Sequence, residues 1–537
     1  MSETRLLSAG EALVKLLENQ GVDTVFGVPG VHTLELYRGL PGRSIRHVLS
    51  RHEQGAGFMA DGYARMTGKP GVCFVISGPG LTNASTAIGQ AYADSVPMLV
   101  ISSVNPVETL GQGWGELHET QDQRAITAPL TAFSATAYSS EDIPHLIARA
   151  FSVFKSERPR PVHIEIPMDV LSAPVQRDWT QPSAVVARRP GANREDVVSA
   201  AQKLQGAQQP VIVVGGGALG CGTDIERLAD QLGAAVFSTV AAKGLLSQSH
   251  PLNGGSVLCL EQGWQFVENA DVVLAIGTEL ASTDLWRDKL DLRGQLIRVD
   301  LDPRKMHDRH PAAQAILADA SSFTQQLLGE IGTGEASSKR HQVISRLSEL
   351  RAEVIASYDV LTRKHTQVLD VLRQELPEDA FIVTDMTQIA YTGNHYYPVE
   401  HSRTWLHPVG FGTLGYALPA AIGAKIAEPT RVGVVLAGDG GFLYTLQELA
   451  TAVEELDSPL IVLVWNNDSL GQIRDDMVAL DIPPIGVSPS NPDYLKIAEG
   501  FGCQVSRPKT LAELPGMLAV AMEFGGVTFV EVHEAIV

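Results

Sequence analysis

The sequence predicts an α/β protein built from three doubly wound parallel-sheet domains in series. Three observations carry that prediction. Short apolar runs recur along the chain, longer helical patterns separate them, and 537 residues accommodate several domains at about 150 residues each. The runs VCFVIS, PMLVISSV, PVIVVGG, DVVLAIG, RVGVVLAG and PLIVLVW are rich in Val, Ile and Leu and end in Gly, Pro or Asp. Runs of this length read as strands buried on both faces, as parallel sheets with helices on each side require.

Two polar stretches interrupt the rhythm: DWTQPSAVVARRPGANRED at 178–196 and TGEASSKRH at 333–341. They divide the chain into domains at 1–178, 190–332 and 350–537. Gly-rich turns close strands in the first and third domains, where open α/β sheets place their ligands.

Composition narrows the function. Lys and Arg total 41 against 61 Asp and Glu, a formal charge of -20, which repels nucleic acid and anionic membranes. Cys73, Cys221, Cys259 and Cys503 form no CxxC pair, so neither a zinc knuckle nor a disulfide framework is expected. The opening MSETRLLSAGEALVKLL reads as an amphipathic helix rather than a secretion signal. No apolar run is long enough to span a membrane. A cytoplasmic protein is expected.

The deciding motif lies near the C-terminus. VVLAGDGG at 434–441 reads as a strand closed by a Gly-Asp-Gly turn, and the helical pattern FLYTLQELATAVEE follows at once. The next strand, PLIVLVW, ends in Asn466-Asn467-Asp468. Asp439 and Asn467 offer two hard oxygen ligands at neighbouring strand tips, and a loop carbonyl offers a third, which suits a Mg²⁺ that carries a diphosphate. The plain alternative is a turn with an Asp helix cap.

The pairing of GDG with NN resembles the signature of the thiamine diphosphate-dependent 2-oxo-acid decarboxylase and acetohydroxyacid synthase superfamily. That resemblance implies Mg²⁺ on Asp439, Asn467 and the carbonyl of Ser469, with Gly438, Gly440, Gly441, Leu470 and Gly471 around the diphosphate. It also implies a glutamate in the first domain, and HVLSRHEQGAGFMADGYAR supplies Glu53. ISGPGLTNASTAIG brings Gly78 and Asn83, and FGTLGYALPAAIGA brings Gly412 and Leu414. Glu53 would act on the aminopyrimidine ring, Leu414 would wedge between the two cofactor rings, and Thr387 and Gln388 of VTDMTQ would reach the diphosphate.

Because Glu53 and Asp439 lie in different domains, the resemblance implies a site shared between subunits, in a homodimer or a homotetramer. The middle domain's VIVVGGGALG fits GxGxxG, yet no acidic residue closes the next strand, so a nicotinamide site is not expected. NGGSVLCLEQG and GTELASTDLW depart from the flavin-contact segments of acetohydroxyacid synthases. A vestigial pocket without FAD is therefore expected.

Within the family, NNDSLGQIRDDMVALDIPP, GVPGVHTLELYRGL and GWGELHETQDQRA look like the 5-guanidino-2-oxopentanoate (2-ketoarginine) decarboxylases. Asp475 and Asp476 would then face a cationic tail, unless they belong to a solvated helix face. His32 and His118 are candidates to deliver the proton that completes decarboxylation, with structural loop histidines as the alternative. The runner-up activity is an acetolactate synthase-type carboligase. A non-catalytic binding paralogue is the reading from another class, and it conflicts with the presence of Glu53, Asp439 and Asn467.

Overall fold

The computed structural model describes residues 6–179, 187–332 and 339–537. The two polar stretches singled out in the sequence lie partly outside these residues. Three six-stranded sheets follow one another, each wholly parallel.

The first sheet holds β1 (Thr24–Gly27), β2 (Arg46–Leu49), β3 (Gly71–Val75), β4 (Met98–Val104), β5 (Phe133–Thr136) and β6 (Val162–Pro167), in the order β2-β1-β3-β4-β6-β5. The middle sheet holds β7 (Pro210–Val214), β8 (Ala235–Ser238), β9 (Asn253–Gly255), β10 (Val272–Ile276), β11 (Gln295–Asp300) and β12 (Gln314–Leu317), ordered β12-β11-β10-β7-β8-β9. Counted from β9, this is the strand order of dinucleotide-binding folds. The third sheet holds β13 (Phe381–Thr384), β14 (Trp405–Leu406), β15 (Gly433–Gly438), β16 (Leu460–Asn466), β17 (Gln504–Ser506) and β18 (Val527–His533), ordered β14-β13-β15-β16-β18-β17. It repeats the first sheet's order strand for strand.

The central strands are the runs that the sequence marks, and β4, β15 and β16 are buried along their whole length. The edge strands are short and carry partly exposed residues, as in β5, β12 and β17. The helix Arg340–Ala356 packs Val343, Leu347, Leu350 and Val354 into the core of the middle sheet, so a third domain starting at 350 begins inside that helix.

The first and third domains share one core through two helices, Glu53–Thr67 and Ala417–Ala427. They cross at glycines. A Cβ on Gly62 would stand 1.9 Å from the Ala420 carbonyl oxygen, and one on Gly423 would stand 1.9 Å from that of Met59. At this seam Tyr416 donates to the Asp61 carboxylate at 2.6 Å, and Arg65 pairs with Asp61 and Asp94. Burial alone would weaken the guanidinium, but the surrounding anions keep its pKa well above the ordinary value.

One expectation is corrected. The pattern after the GDG turn reads as a continuous helix, whereas the structure has a short helix Asp439–Phe442 and a second at Glu448–Glu455. The break lets Thr445 turn back and donate to the Gly415 carbonyl at 2.7 Å. Local helix propensity yields there to a tertiary hydrogen bond with the Gly412–Gly415 turn.

Candidate active site

The third-domain half is built on two adjacent strands. β15 and β16 pair Gly438 with Trp465, so Asp439 and Asn467 emerge from neighbouring tips. Asp439 is 3% exposed. Its carboxylate accepts from Asn491 Nδ2 at 2.7 Å, and the N–H groups of Gly440 and Ser469 also reach it. Burial raises its pKa, and the neighbouring charge of Asp468 adds to the effect. Asn467 Oδ1 accepts from the Ser469 N–H at 3.2 Å, and its Nδ2 donates to Gln388 Oε1 at 3.4 Å.

These side chains leave no room for a larger residue at Gly471, where a Cβ would lie 2.6 Å from both Asn467 Nδ2 and Gln388 Oε1. Thr387 caps the helix Gln388–Tyr396, and its Oγ1 would be 2.8 Å from a Cβ on Gly438. Leu470 closes over Gly440 from the other strand tip. Leu414 stands between Gly412 and Gly415, both at positive φ, with Cδ2 3.8 Å from where Gly441 would carry a Cβ.

The donor set suits a hard divalent cation. The Asp439 carboxylate, the Asn467 amide oxygen and the Ser469 carbonyl come from two adjacent strand ends, and Asp439 has no cationic side chain in salt-bridge contact among the described residues. Among those residues, no group of three His, Cys, Asp or Glu is placed to hold a metal.

The first-domain half gathers around Glu53, half-buried in the first turn of Glu53–Thr67. Asn83 Nδ2 donates to its Oε2 at 2.9 Å. Gly78, at φ +61°, precedes the helix that carries Asn83, and its N–H donates to Gln123 Oε1 at 2.7 Å. A Cβ there would lie 2.6 Å from the carbonyl oxygen of His118, so the loop holding that histidine closes directly over the turn.

The structure brings His32 and His118 together, with ring centroids 5.1 Å apart. His32 Nδ1 forms a short hydrogen bond with the Ser77 hydroxyl. Burial lowers the His32 pKa, and the neighbouring His118 lowers it further. Nδ1 of His118 is buried with no hydrogen-bond partner among the described residues.

Among the described residues no hydrogen bond joins Glu53 to Asp439 within one chain, although the two domains meet beside them, where the Arg51 N–H donates to Glu448 at 3.1 Å and Thr413 Oγ1 donates to Gln90 Oε1 at 3.0 Å. Glu53 is held by first-domain residues and Asp439 by third-domain residues. Each half is flanked by exposed apolar side chains: Val31, Leu34, Trp114 and Leu117 on one, and Phe411, Tyr444, Ile473 and Val478 on the other.

Asp475 lies beside the third-domain half, where Oδ2 accepts from Gln388 Nε2 at 2.9 Å and Oδ1 pairs with Arg474. Asp476 is exposed and accepts from Gln472, one turn earlier on the same helix. A cavity of about 450 Å³ lies where the middle domain meets the other two, lined by Gly215, Thr278 and Asp300 of the middle domain, Arg65 and Arg158 of the first and His407 of the third.

Several residues of these clusters escaped sequence reasoning. Asn491 reaches Asp439, Asn466 and Asp468 at once, and the Asn-Pro-Asp turn that carries it was the available signal. Asp385 accepts N–H bonds from Met386 and Gly415, which fixes the Leu414 turn, and burial raises its pKa to about 6. Gln123 and Tyr494 show themselves only in three dimensions.

Comparison with known proteins agrees with this geometry. Residues 7–126 match the family described as "Thiamine pyrophosphate enzyme, N-terminal TPP binding domain". Residues 197–327 match its central domain, and residues 385–532 its C-terminal TPP binding domain. A protein of Pseudomonas aeruginosa named "Probable 2-ketoarginine decarboxylase AruI" is 58% identical over 538 residues, spanning 100% of this chain and 95% of its own. The acetolactate synthase isozyme 1 large subunit of Escherichia coli is 31% identical, over 94% of this chain and 90% of its own. The acetolactate synthase of Mycobacterium leprae is 32% identical, over 93% and 82%. No described helix is long and apolar enough to cross a membrane.

Proposed function

The chain belongs to the thiamine pyrophosphate enzyme family, and from that premise we propose that it decarboxylates 5-guanidino-2-oxopentanoate (2-ketoarginine) to the aldehyde without oxidation. The observation that carries this reading is the 58% identity, over the full chain, to the relative named as a 2-ketoarginine decarboxylase. The clusters around Glu53 and around Asp439 support the same reading.

When bound, thiamine diphosphate supplies a nucleophilic carbon that attacks the keto group and then accepts the electron pair left by CO₂. The protein's part is to bind, orient and move protons. Asp439, Asn467 and the Ser469 carbonyl would hold Mg²⁺, with Thr387, Gln388 and the Gly438–Gly441 turn around the diphosphate. Glu53, oriented by Asn83, would exchange a proton with the aminopyrimidine ring. Leu414 would set the angle between the cofactor rings. His32 and His118 would deliver the proton that takes the place of CO₂ on the former keto carbon.

A guanidinium tail calls for carboxylates near the opening of the site. Asp475 is the nearer candidate because it contacts Gln388, and Asp476 stands next to it in the chain. As the family resemblance implies, a homodimer or homotetramer would join Glu53 of one subunit to Asp439 of another, with the flanking apolar side chains buried between them. We assign domain roles as pyrimidine-binding at 1–178, middle at 190–332 and diphosphate-binding at 350–537. FAD has no part in this reading, because the middle-domain segments depart from the flavin-contact pattern. Such a substrate would place the activity in arginine catabolism, and a cytoplasmic location is part of the same proposal.

The second reading is carboligation of two 2-oxo acids, favoured by the acetolactate synthases at 31% and 32% identity. Product analysis after feeding pyruvate separates the two. Acetolactate would establish the carboligase, whereas 4-guanidinobutanal formed from 2-ketoarginine, with little product from pyruvate, would establish the decarboxylase.

A further inference from the structure

Lys243 sits in the middle domain, directly after the 3₁₀ turn Val240–Ala242, and is 7% exposed. Its ammonium reaches out of that domain. Nζ donates to the carbonyls of Gly393 at 2.9 Å and Asn394 at 2.8 Å, in the last turn of the third-domain helix Gln388–Tyr396. The Asn394 carbonyl is one of those that a helix end leaves without an intrahelical partner, and the Gly393 carbonyl also accepts the Tyr397 N–H at 3.1 Å.

The contact is tightly seated. The ammonium lies 5.4 Å from the centre of the Trp405 ring, whose Nε1 donates to Asn394 Oδ1 at 2.8 Å. A Cβ on Gly393 would be 2.3 Å from the same ring, and one on the adjoining Gly244 would be 2.5 Å from the His401 carbonyl oxygen. The described hydrogen bonds of Lys243 go to carbonyls alone.

The other end of this helix is Thr387 and Gln388, in the diphosphate cradle. Nine residues place the two ends about 13 Å apart. A cation at the C-terminal end complements the helix dipole, and an anion is favoured at the N-terminal end. We propose that Lys243 is a positioning residue of the cofactor site: from the middle domain it holds and charges the far end of the helix whose first turn receives the diphosphate. This inference rests on the proposed thiamine diphosphate site and adds a residue outside both half-sites.

The charge is conditional. Burial lowers the ammonium pKa to about 7, and the facing Cys259 thiol pulls it upward. His395, on the same helix, also faces it, with its own pKa lowered to about 3 by burial. Tyr358, whose hydroxyl bonds His395 Nδ1 at 3.2 Å, completes the surrounding groups. The positive charge is therefore present on the acid side of about 7 and lost on the alkaline side. By reciprocity, a diphosphate bound at the far end favours protonation of Lys243.

The experiment measures the thiamine diphosphate Kd by quenching of intrinsic tryptophan fluorescence with saturating Mg²⁺, on the full-length protein, at about pH 6 and about pH 8.5. Titration of the diphosphate itself is common to every variant, so the ratio of variant to wild type reports Lys243. Lys243→Met is expected to weaken binding about fivefold at the lower pH and less than about twofold at the higher. Lys243→Arg, charged at both, is expected to bind more tightly than wild type at the higher pH and like wild type at the lower. Equal loss at both pH values in Lys243→Met would show only a packing defect and overturn the proposal. So would an unchanged Kd, or a Lys243→Arg protein that follows wild type at both pH values. A wild-type protein that binds no thiamine diphosphate at either pH would overturn the proposed function itself, and this inference with it.

Discussion

Asn83 donates its side-chain amide to the carboxylate of Glu53 across 2.9 Å. The bond fixes one oxygen of the Glu53 carboxylate. Substituting Glu53 by Gln keeps the size and removes the transferable proton. We predict a fall in kcat of about 10²–10⁴-fold, with thiamine diphosphate still bound. Asn83→Ala removes one charge-assisted bond, and a smaller loss of about tenfold follows. Steady-state kinetics with a parallel cofactor-binding titration checks both.

The His32–His118 pair predicts a pH effect with a definite sign. His118 helps to lower the pKa of His32 through charge repulsion. His118→Asn removes that repulsion, so the His32 pKa rises toward its ordinary value and the protonated imidazole persists to higher pH. The limb of the kcat/KM profile that reports His32 should move to higher pH. An unmoved limb in His118→Asn would remove His32 from the proton-transfer role.

Metal dependence tests the third-domain half. Chelation is expected to abolish decarboxylation, and added Mg²⁺ is expected to restore it. Asp439→Asn replaces the one charged ligand among Asp439, Asn467 and Ser469 by a neutral oxygen donor, so the Mg²⁺ concentration for half-maximal activity should rise at least tenfold, from the loss of about 1.5 kcal/mol or more. A magnesium titration of both proteins measures it.

The helix crossing between the first and third domains predicts a stability effect far from the chemistry. Gly62→Ala would press a methyl group to within 1.9 Å of the Ala420 carbonyl oxygen. The helices must separate, at a cost of about 1–3 kcal/mol. Thermal unfolding should show a lower midpoint, and Gly423→Ala, which meets the Met59 carbonyl oxygen from the other helix, should match it.

The readable parts of the sequence are those in which local chemistry and global position coincide. The runs that became β3, β4, β7, β10, β15 and β16 are buried on both faces, so their apolar composition suffices to mark them. Edge strands such as β12 and β17 carry exposed or partly exposed residues and leave no such mark. Asp439 and Asn467 were legible because each directly follows a buried strand. Asn491, which donates to Asp439, lies 52 residues past it and is joined to it only by folding. The broken helix at 443–447 was illegible for the same reason, since the Thr445 side chain answers to Gly415, 30 residues away in the chain.

The central claim is cofactor-dependent decarboxylation of a guanidino 2-oxo acid, and CO₂ release from 2-ketoarginine tests it most directly. The wild-type protein with thiamine diphosphate and Mg²⁺ should release CO₂ from 2-ketoarginine far faster than from pyruvate or an aromatic 2-oxo acid. Release should cease when the cofactor is omitted or Glu53 is replaced by Gln. Equal turnover of 2-ketoarginine and pyruvate, or release that persists without the cofactor, would contradict the account.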